Sequence, residues 1–376
     1  MLVQKYKDML SGKSVIRQLS EFATARGQEI GYENVFDYSL GNPSVPVPRE
    51  FTDRMIHMLA TKEPLELHGY SPSLGITSVR EAIAENLEKK FGLPYRKEHI
   101  FMASGAAGAL AHAFRLVTEP GDEILTFAPF FPEYHPYVDL TGAVLKVVPP
   151  NLENFQINFE AFEEMLTEKV KAVLINTPNN PSGVVYSTPT LQRLADILSE
   201  KSKEYGHIIY LISDEPYREI VFEGVDSPCV SYFYDNTIMC YSFSKSLSLP
   251  GERIGYIIVP DEMEDSKRVM AAVNGAGRAL GFVCAPVLFQ RVAAMCADVP
   301  SDIATYARNR DLLYNGLTEL GYECVRPQGA FYLFVKSPEP DANAFSERAK
   351  KHDVLVVPSD SFGCPGYVRI SYCVAE

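Results

Sequence analysis

Six apolar runs of strand length recur along this chain: DEILTF, AVLKVV, KAVLIN, IIYLIS, TIMCYSFS and RIGYIIV, beginning at Asp122, Ala143, Lys171, Ile208, Thr237 and Arg253. Helical patterns, such as residues 190–204, separate some of them. That alternation predicts an α/β domain in which helices cover a mostly parallel sheet. In such a sheet, functional groups gather where strands end at their carboxyl edge.

With 376 residues, 46% of them hydrophobic and 22% charged, the chain can bury a large core and is expected to form two domains. The proline-rich GNPSVPVP, residues 41–48, marks a crossing between them. The expected large domain spans residues 43–295. A smaller α+β domain would combine residues 1–42 with 296–376, where two helical patterns flank GAFYLFV and a last strand reads YVRISYC. The formal net charge of −13 disfavours nucleic acid as a partner while leaving room for a local basic pocket. Seven cysteines without a Cys-x-x-Cys pair suggest free thiols in a reducing compartment. No Cys/His cluster has zinc spacing, so no metal is expected. The opening MLVQKYKDMLSGKS lacks the apolar core of a signal peptide, and no stretch approaches a membrane span, so the expected location is cytoplasmic.

Lys245 lies in SFSKSLSLPGERIGY, between hydroxyls and a Pro-Gly turn followed by Arg253. A lysine can form a Schiff base with a carbonyl, and Ser242 and Arg253 can hold a phosphate beside it. Upstream, Ser213, Asp214 and Glu215 follow the apolar run HIIYLI, which places Asp214 where a strand meets a cleft. Read alone, each segment has an ordinary explanation: solvated charges around a turn, and a helix cap. Together they describe a site for pyridoxal phosphate, whose ring needs an acid at its nitrogen. A third strand, VKAVLINTPNNPSG, runs into a Pro/Asn/Gly turn.

These segments resemble fold-type I pyridoxal phosphate enzymes, specifically the class I and II aminotransferases. The most specific elements are NNPSG, DEPY and Ser-x-x-Lys-x-x-x-x-Pro-Gly-x-Arg-x-Gly, and the likeness extends from SLGNPSVPVP at Ser39 to YVRISYC at Cys373. The resemblance implies that Lys245 carries the cofactor, that Asp214 pairs with the ring nitrogen, and that Asn180 and Tyr217 bond its phenolic oxygen. Phe131 would stack on the ring, with Phe130 as the alternative one residue away. Gly105, Ala106 and Ala107, in MASGAAGALAHAF, would offer backbone N–H groups to the phosphate at a helix start. Tyr70 would reach the phosphate of the neighbouring subunit in a homodimer.

On the substrate side, the resemblance gives Arg369 to the α-carboxylate, a planar fork for a planar anion. Gly41 and Asn180 would assist it. Arg278, 33 residues after Lys245, falls near the position of an arginine that binds a distal carboxylate in dicarboxylate-specific members, although the following ALGFVCAP departs from their sequence. The implied activity is transfer of an amino group from an L-amino acid, aspartate-like first and aromatic or broad-range second, to a 2-oxo acid. A ping-pong mechanism would have Lys245 move the Cα proton, with Asp214 and Tyr217 as its catalytic partners. Carbon–sulfur β-lyases share these groups and are the nearest alternative. A pyridoxal phosphate-binding regulator is another, but it carries an added DNA-binding domain, and only 40 residues precede Gly41.

Two other motifs are set aside. Gly12-Lys13-Ser14 lacks the glycine a phosphate loop needs upstream, where Lys7 stands, and GAGRALG at residues 275–281 has the wrong spacing for a dinucleotide fingerprint and follows a helical pattern. Proline blocks N-glycosylation at both Asn-Pro-Ser triplets, Asn42 and Asn180.

Overall fold

The computed structural model describes residues 3, 6, 7 and 14–374; Gly12 and Lys13 of the rejected loop lie outside the described residues. All six expected runs form strands of one seven-stranded sheet. Its order is Ile100–Ala103, Gly255–Ile258, Thr237–Ser242, Tyr210–Asp214, Val170–Asn176, Glu123–Phe127 and Val144–Val148. Gly255–Ile258 runs antiparallel to both neighbours, and the other adjacent pairs are parallel. The carboxyl ends of the remaining six strands therefore share one edge. Ala103, Ser242, Asp214 and Asn176 are the last residues of their strands there, with Asn176 directly beside Asp214.

Period-two alternation sends successive residues to opposite faces. Ile212, Ile238 and Cys240 join one apolar cluster with Ala109, Ala113 and Phe114 of the helix Gly105–Val117. Leu211 and Val173 pack on the other face against Leu191, Leu194 and Leu198 of Thr188–Tyr205. That helix starts at the Ser187 cap, whose hydroxyl accepts from Thr190 N, and stops at Gly206 in the left-handed region. Burial on both faces is why these strands read as continuous apolar runs.

The seventh strand, Ile100–Ala103, was not among the expected six. At four residues, IFMA falls at the short end of what an apolar run can signal. GNPSVPVP has no regular structure and leads into the helix Arg49–Thr61. A second, antiparallel sheet of Val357–Pro358, Tyr367–Ser371 and Tyr332–Lys336 lies in the last part of the chain. Helices Ile303–Glu319 and Ala342–Lys350 pack on it. The N-terminal helix Val15–Ile30 joins the same region, burying Leu19 and Ala23 against Leu355, Val357 and Phe362.

Candidate active site

A cavity of about 490 Å³ opens at the shared carboxyl edge, lined from one side by the seven-stranded sheet and from the other by the C-terminal sheet and the N-terminal helix. Lys245, Asp214, Asn180, Tyr217, Phe131, Ala106, Ala107, Ser242, Arg253, Gly41 and Arg369 all line it. Segments more than 300 residues apart thus converge on one volume.

Lys245 sits in the short helix Phe243–Ser246 that follows its strand directly. Its Nζ donates to the Gly41 carbonyl at 2.6 Å. Burial lowers its pKa to about 8 from the usual 10.5; Cys373 opposes this, and the positive charges of Arg369 and Arg253 add smaller lowering effects. At pH 7 roughly a tenth of such amines are neutral, against well under a thousandth for an ordinary lysine. The amine is therefore prepared as a nucleophile and base.

Asp214 ends its strand and is 5% exposed. Tyr134 donates to its Oδ2 at 2.6 Å, whereas Oδ1 has no hydrogen-bond partner among the described residues. Burial raises its pKa to about 7, against the lowering effect of the Tyr134 bond. A buried carboxylate with one oxygen unpaired is costly unless a cationic or N–H group meets it.

Arg369 presents the complementary situation. Only 2% exposed, it donates from Nη1 to Asn180 Oδ1 at 2.9 Å and from Nη2 to the Ser39 carbonyl at 2.5 Å. Its Nε is unpartnered, and the ionisable groups that act on it are Tyr332, Tyr217 and Cys373 rather than a carboxylate. Instead the guanidinium lies 4.7 Å from the Tyr332 ring centroid and 5.1 Å from that of Phe362. A desolvated cation held by neutral groups is a receptor for a carboxylate.

The same cavity holds an anion cradle at the start of the helix Gly105–Val117. Ser104 makes no side-chain cap on the helix Gly105–Val117, so the first N–H groups of that helix have no intrahelical or side-chain acceptor. Gly105 has φ 74°, and a Cβ there would stand 2.8 Å from Arg253 Nη2. Glycine thus admits the guanidinium to the helix start. Arg253 itself adopts φ 51° and donates from Nη1 to the Pro250 carbonyl at 3.0 Å. Across from it, the Ser242 and Ser244 hydroxyls are 2.7 Å apart.

Phe131 lines the cavity, while Phe130 is buried against Gly363 and Tyr134. Tyr70 and Arg278 do not line this cavity. Tyr70 is 87% exposed beside a separate groove with Leu65, Ser71 and Arg291. Arg278 is exposed in the last turn of Ser266–Leu280. Neither is brought to the site of its own chain.

Sequence reading missed several groups here. Ser244 could have been found, since Ser-x-Ser before the lysine puts a second hydroxyl within one turn. Tyr134, three residues beyond Phe131, read as a core aromatic. Asn176 donates to the Asp214 carbonyl at 2.8 Å and accepts from Asn180 N at 2.7 Å, so it buttresses two site residues without an obvious motif. Tyr332, Tyr137, Glu133, Ser14 and Arg17 also line the cavity. Among the described residues no group of His, Cys, Asp or Glu could hold a metal, and no helix is long and apolar enough to cross a membrane.

A doubly covered sheet with a depressed-pKa lysine, a buried aspartate and a phosphate cradle at its carboxyl edge defines a fold-type I pyridoxal phosphate enzyme. The chain belongs to the class I and II aminotransferase family, whose family model matches residues 33–376. It is 30% identical over 375 residues to the aspartate aminotransferase of Thermotoga maritima, covering 96% of this chain and 95% of that one. It is 31% identical to aromatic-amino-acid aminotransferase 2 of Thermococcus litoralis, covering 96% and 92%. Among solved structures, an amino transferase from Eubacterium rectale superposes with a TM-score of 0.96 at 51% identity, covering all of this chain and 95% of that one. Enzymes of this family use pyridoxal phosphate, and the groups found here fit it: an unpaired acid oxygen, a lysine amine and an uncapped helix start beside an arginine.

Proposed function

We propose that this aminotransferase uses pyridoxal phosphate to move an amino group from an L-amino acid to a 2-oxo acid by a ping-pong mechanism. Aspartate-like donors are the first choice and aromatic or broad-range donors the second. The observation that carries this reading is the meeting, in one cavity, of the unpartnered Asp214 Oδ1, the buried Arg369 guanidinium with its unpartnered Nε, and the Lys245 amine. When bound, pyridoxal phosphate supplies an aldehyde for amines and a protonated ring that withdraws electrons from the substrate Cα.

The chain's own residues do the rest. Asp214 holds the ring proton, and Tyr134 fixes its carboxylate. Arg369 and Asn180 would grip the α-carboxylate, with the Gly41 backbone alongside, and so orient the substrate toward Lys245. Lys245, already weakened as a cation by burial, takes and returns the Cα proton. Tyr217 and Asn180 donate to the phenolic oxygen. Ser242, Ser244, Arg253 and the N–H groups of Gly105, Ala106 and Ala107 would hold the phosphate, and Phe131 would lie against the ring face.

The reading extends to organisation. Residues 43–295 form the large domain, and 1–42 with 296–376 the small one, in a cytoplasmic homodimer whose partner receives Tyr70 at its phosphate. The exposed Leu65, Ile56, Leu59 and Val283 support such an interface. Arg278, exposed on its helix, is available to a second copy as a distal-carboxylate contact.

A panel of amino acids added to the holoenzyme without an acceptor tests the function. Each true donor should consume the cofactor's visible absorbance stoichiometrically. Pyruvate and ammonia from thioether amino acids, with no amino acid giving that change, would favour the β-lyase instead. Two substitutions add to the test. Gly105→Ala should weaken cofactor binding about tenfold or more, because the new methyl displaces Arg253 at a positive φ, and equilibrium titration of the absorbance reads this directly. Arg369→Lys should raise KM for the amino acid about 100-fold, as a point charge cannot replace the fork, with cofactor affinity unchanged.

A further inference from the structure

Tyr332 occupies the junction between the two halves of the site. It belongs to the strand Tyr332–Lys336, whose partner Tyr367–Ser371 places Arg369 opposite Phe334, so Tyr332 is the diagonal neighbour of Arg369 on the same face. Its ring supports the guanidinium at 4.7 Å. Its hydroxyl lies 2.9 Å from that of Tyr217, and the two rings meet edge to face at 5.7 Å between centroids. The same hydroxyl fills the space where a Cβ of residue 41 would stand, so Gly41 must be glycine for Tyr332 to reach Tyr217. Gly41 in turn offers its carbonyl to Lys245.

We propose that Tyr332 is a positioning residue that acts through Tyr217. It donates to the Tyr217 oxygen, so that Tyr217 gives its own proton to the cofactor's phenolic oxygen as a stronger donor. This rests on the cofactor reading above. The bond between two hydroxyls can run either way, but an anionic oxygen beyond Tyr217 selects one direction. Tyr217 has one proton, which goes to the anion, and the proton between the tyrosines must then come from Tyr332. Hydrogen bonds in such a chain polarise one another, more so in a buried setting, and both tyrosines are buried here. A stronger bond to the ionised oxygen favours that form of the chromophore. Because the Tyr332 ring also carries Arg369, a substrate carboxylate that shifts the guanidinium is felt at Tyr217.

The test uses resting holoenzyme and no turnover. Bound pyridoxal phosphate is titrated with pH by its visible absorbance in the wild type, Tyr332→Phe, Tyr217→Phe and the double variant. Tyr332→Phe should raise the apparent pKa of that transition by roughly half a unit to one unit, with cofactor affinity changed less than about threefold. In the Tyr217→Phe background the second substitution should add no further shift. An unmoved pKa in Tyr332→Phe, or fully additive shifts in the double variant, would overturn the proposal. Should Tyr332→Phe not retain cofactor, a ring-fluorinated tyrosine at 332, which keeps the shape and strengthens the donor, must move the transition down; no movement or movement upward overturns it. A wild type that binds no cofactor would instead sink the functional reading itself.

Discussion

Lys245→Ala is expected to slow the amino-donor half-reaction by ~10⁴-fold or more, because both the proton shuttle and the covalent anchor are removed at once. Among the described residues no other lysine lines the cavity to replace it as the anchor. Arg253 and Arg369 are cations with no basic lone pair at neutral pH, and Asp214 is engaged by Tyr134 at the far side. The variant should nonetheless fold. Among the described residues the Lys245 amine makes a single hydrogen bond, to the Gly41 carbonyl, and its burial disfavours the charged form, so alanine relieves a desolvation cost while leaving one carbonyl facing a solvated cavity. Single-turnover kinetics of the holoenzyme measures the loss. Borohydride reduction provides the independent reading: wild-type peptides should carry a pyridoxyl group at position 245, and the variant's should carry none. A rate within tenfold of wild type would show that the Cα proton is moved by another residue. The cofactor-free wild type should also capture the aldehyde faster as pH rises through 8, reaching half its limiting rate there and levelling off about one pH unit higher, following the neutral fraction of an amine whose pKa is lowered to about 8.

The reach of sequence reading follows from which interactions are local. Strands buried on both faces announce themselves as apolar runs, and Lys245 and Arg253 share one turn with a distinctive Pro-Gly between them. Both were legible. Tyr332 and Tyr134 were not, because an aromatic in an apolar run reads as core until its hydroxyl is given a partner, and those partners lie 115 and 80 residues away. The same holds for Asn176, whose carboxamide only gains meaning when the neighbouring strand sets Asp214 in register beside it. Arg17 reaches the cavity from the N-terminal helix and Ser14 from its cap, both placed there by Leu19 and Ala23 packing on the C-terminal region, which the sequence around them does not signal. Tyr70 and Arg278 mark the opposite limit: their assigned roles need a second copy of the chain, and one chain leaves both exposed.

Asp214→Asn should lower the half-reaction rate by about 10³-fold while leaving the cofactor bound, since the phosphate cradle is untouched. Asparagine keeps the shape and can still accept from Tyr134. Its amide then turns N–H toward the ring nitrogen, which accepts it only when unprotonated, and an unprotonated ring withdraws little charge from the substrate. Stability supplies a second readout of opposite sign. In the cofactor-free protein, burial raises the Asp214 pKa to about 7 from the usual carboxylate value of about 4. Between those limits the unfolded chain releases a proton that the folded chain retains, so this group weakens folding as pH rises and the full penalty is present above pH 7. Cofactor-free Asp214→Asn should therefore melt several degrees above cofactor-free wild type at pH 8, with the gap closing as pH falls toward 4. Adding pyridoxal phosphate should reverse the order at pH 8, because the wild-type carboxylate then faces a cation and gains more from binding than the neutral amide does. Calorimetric melts of both proteins, with and without cofactor at the two pH values, read all four corners. Equal melting gains on cofactor addition would mean that the Asp214 oxygen does not face the ring nitrogen.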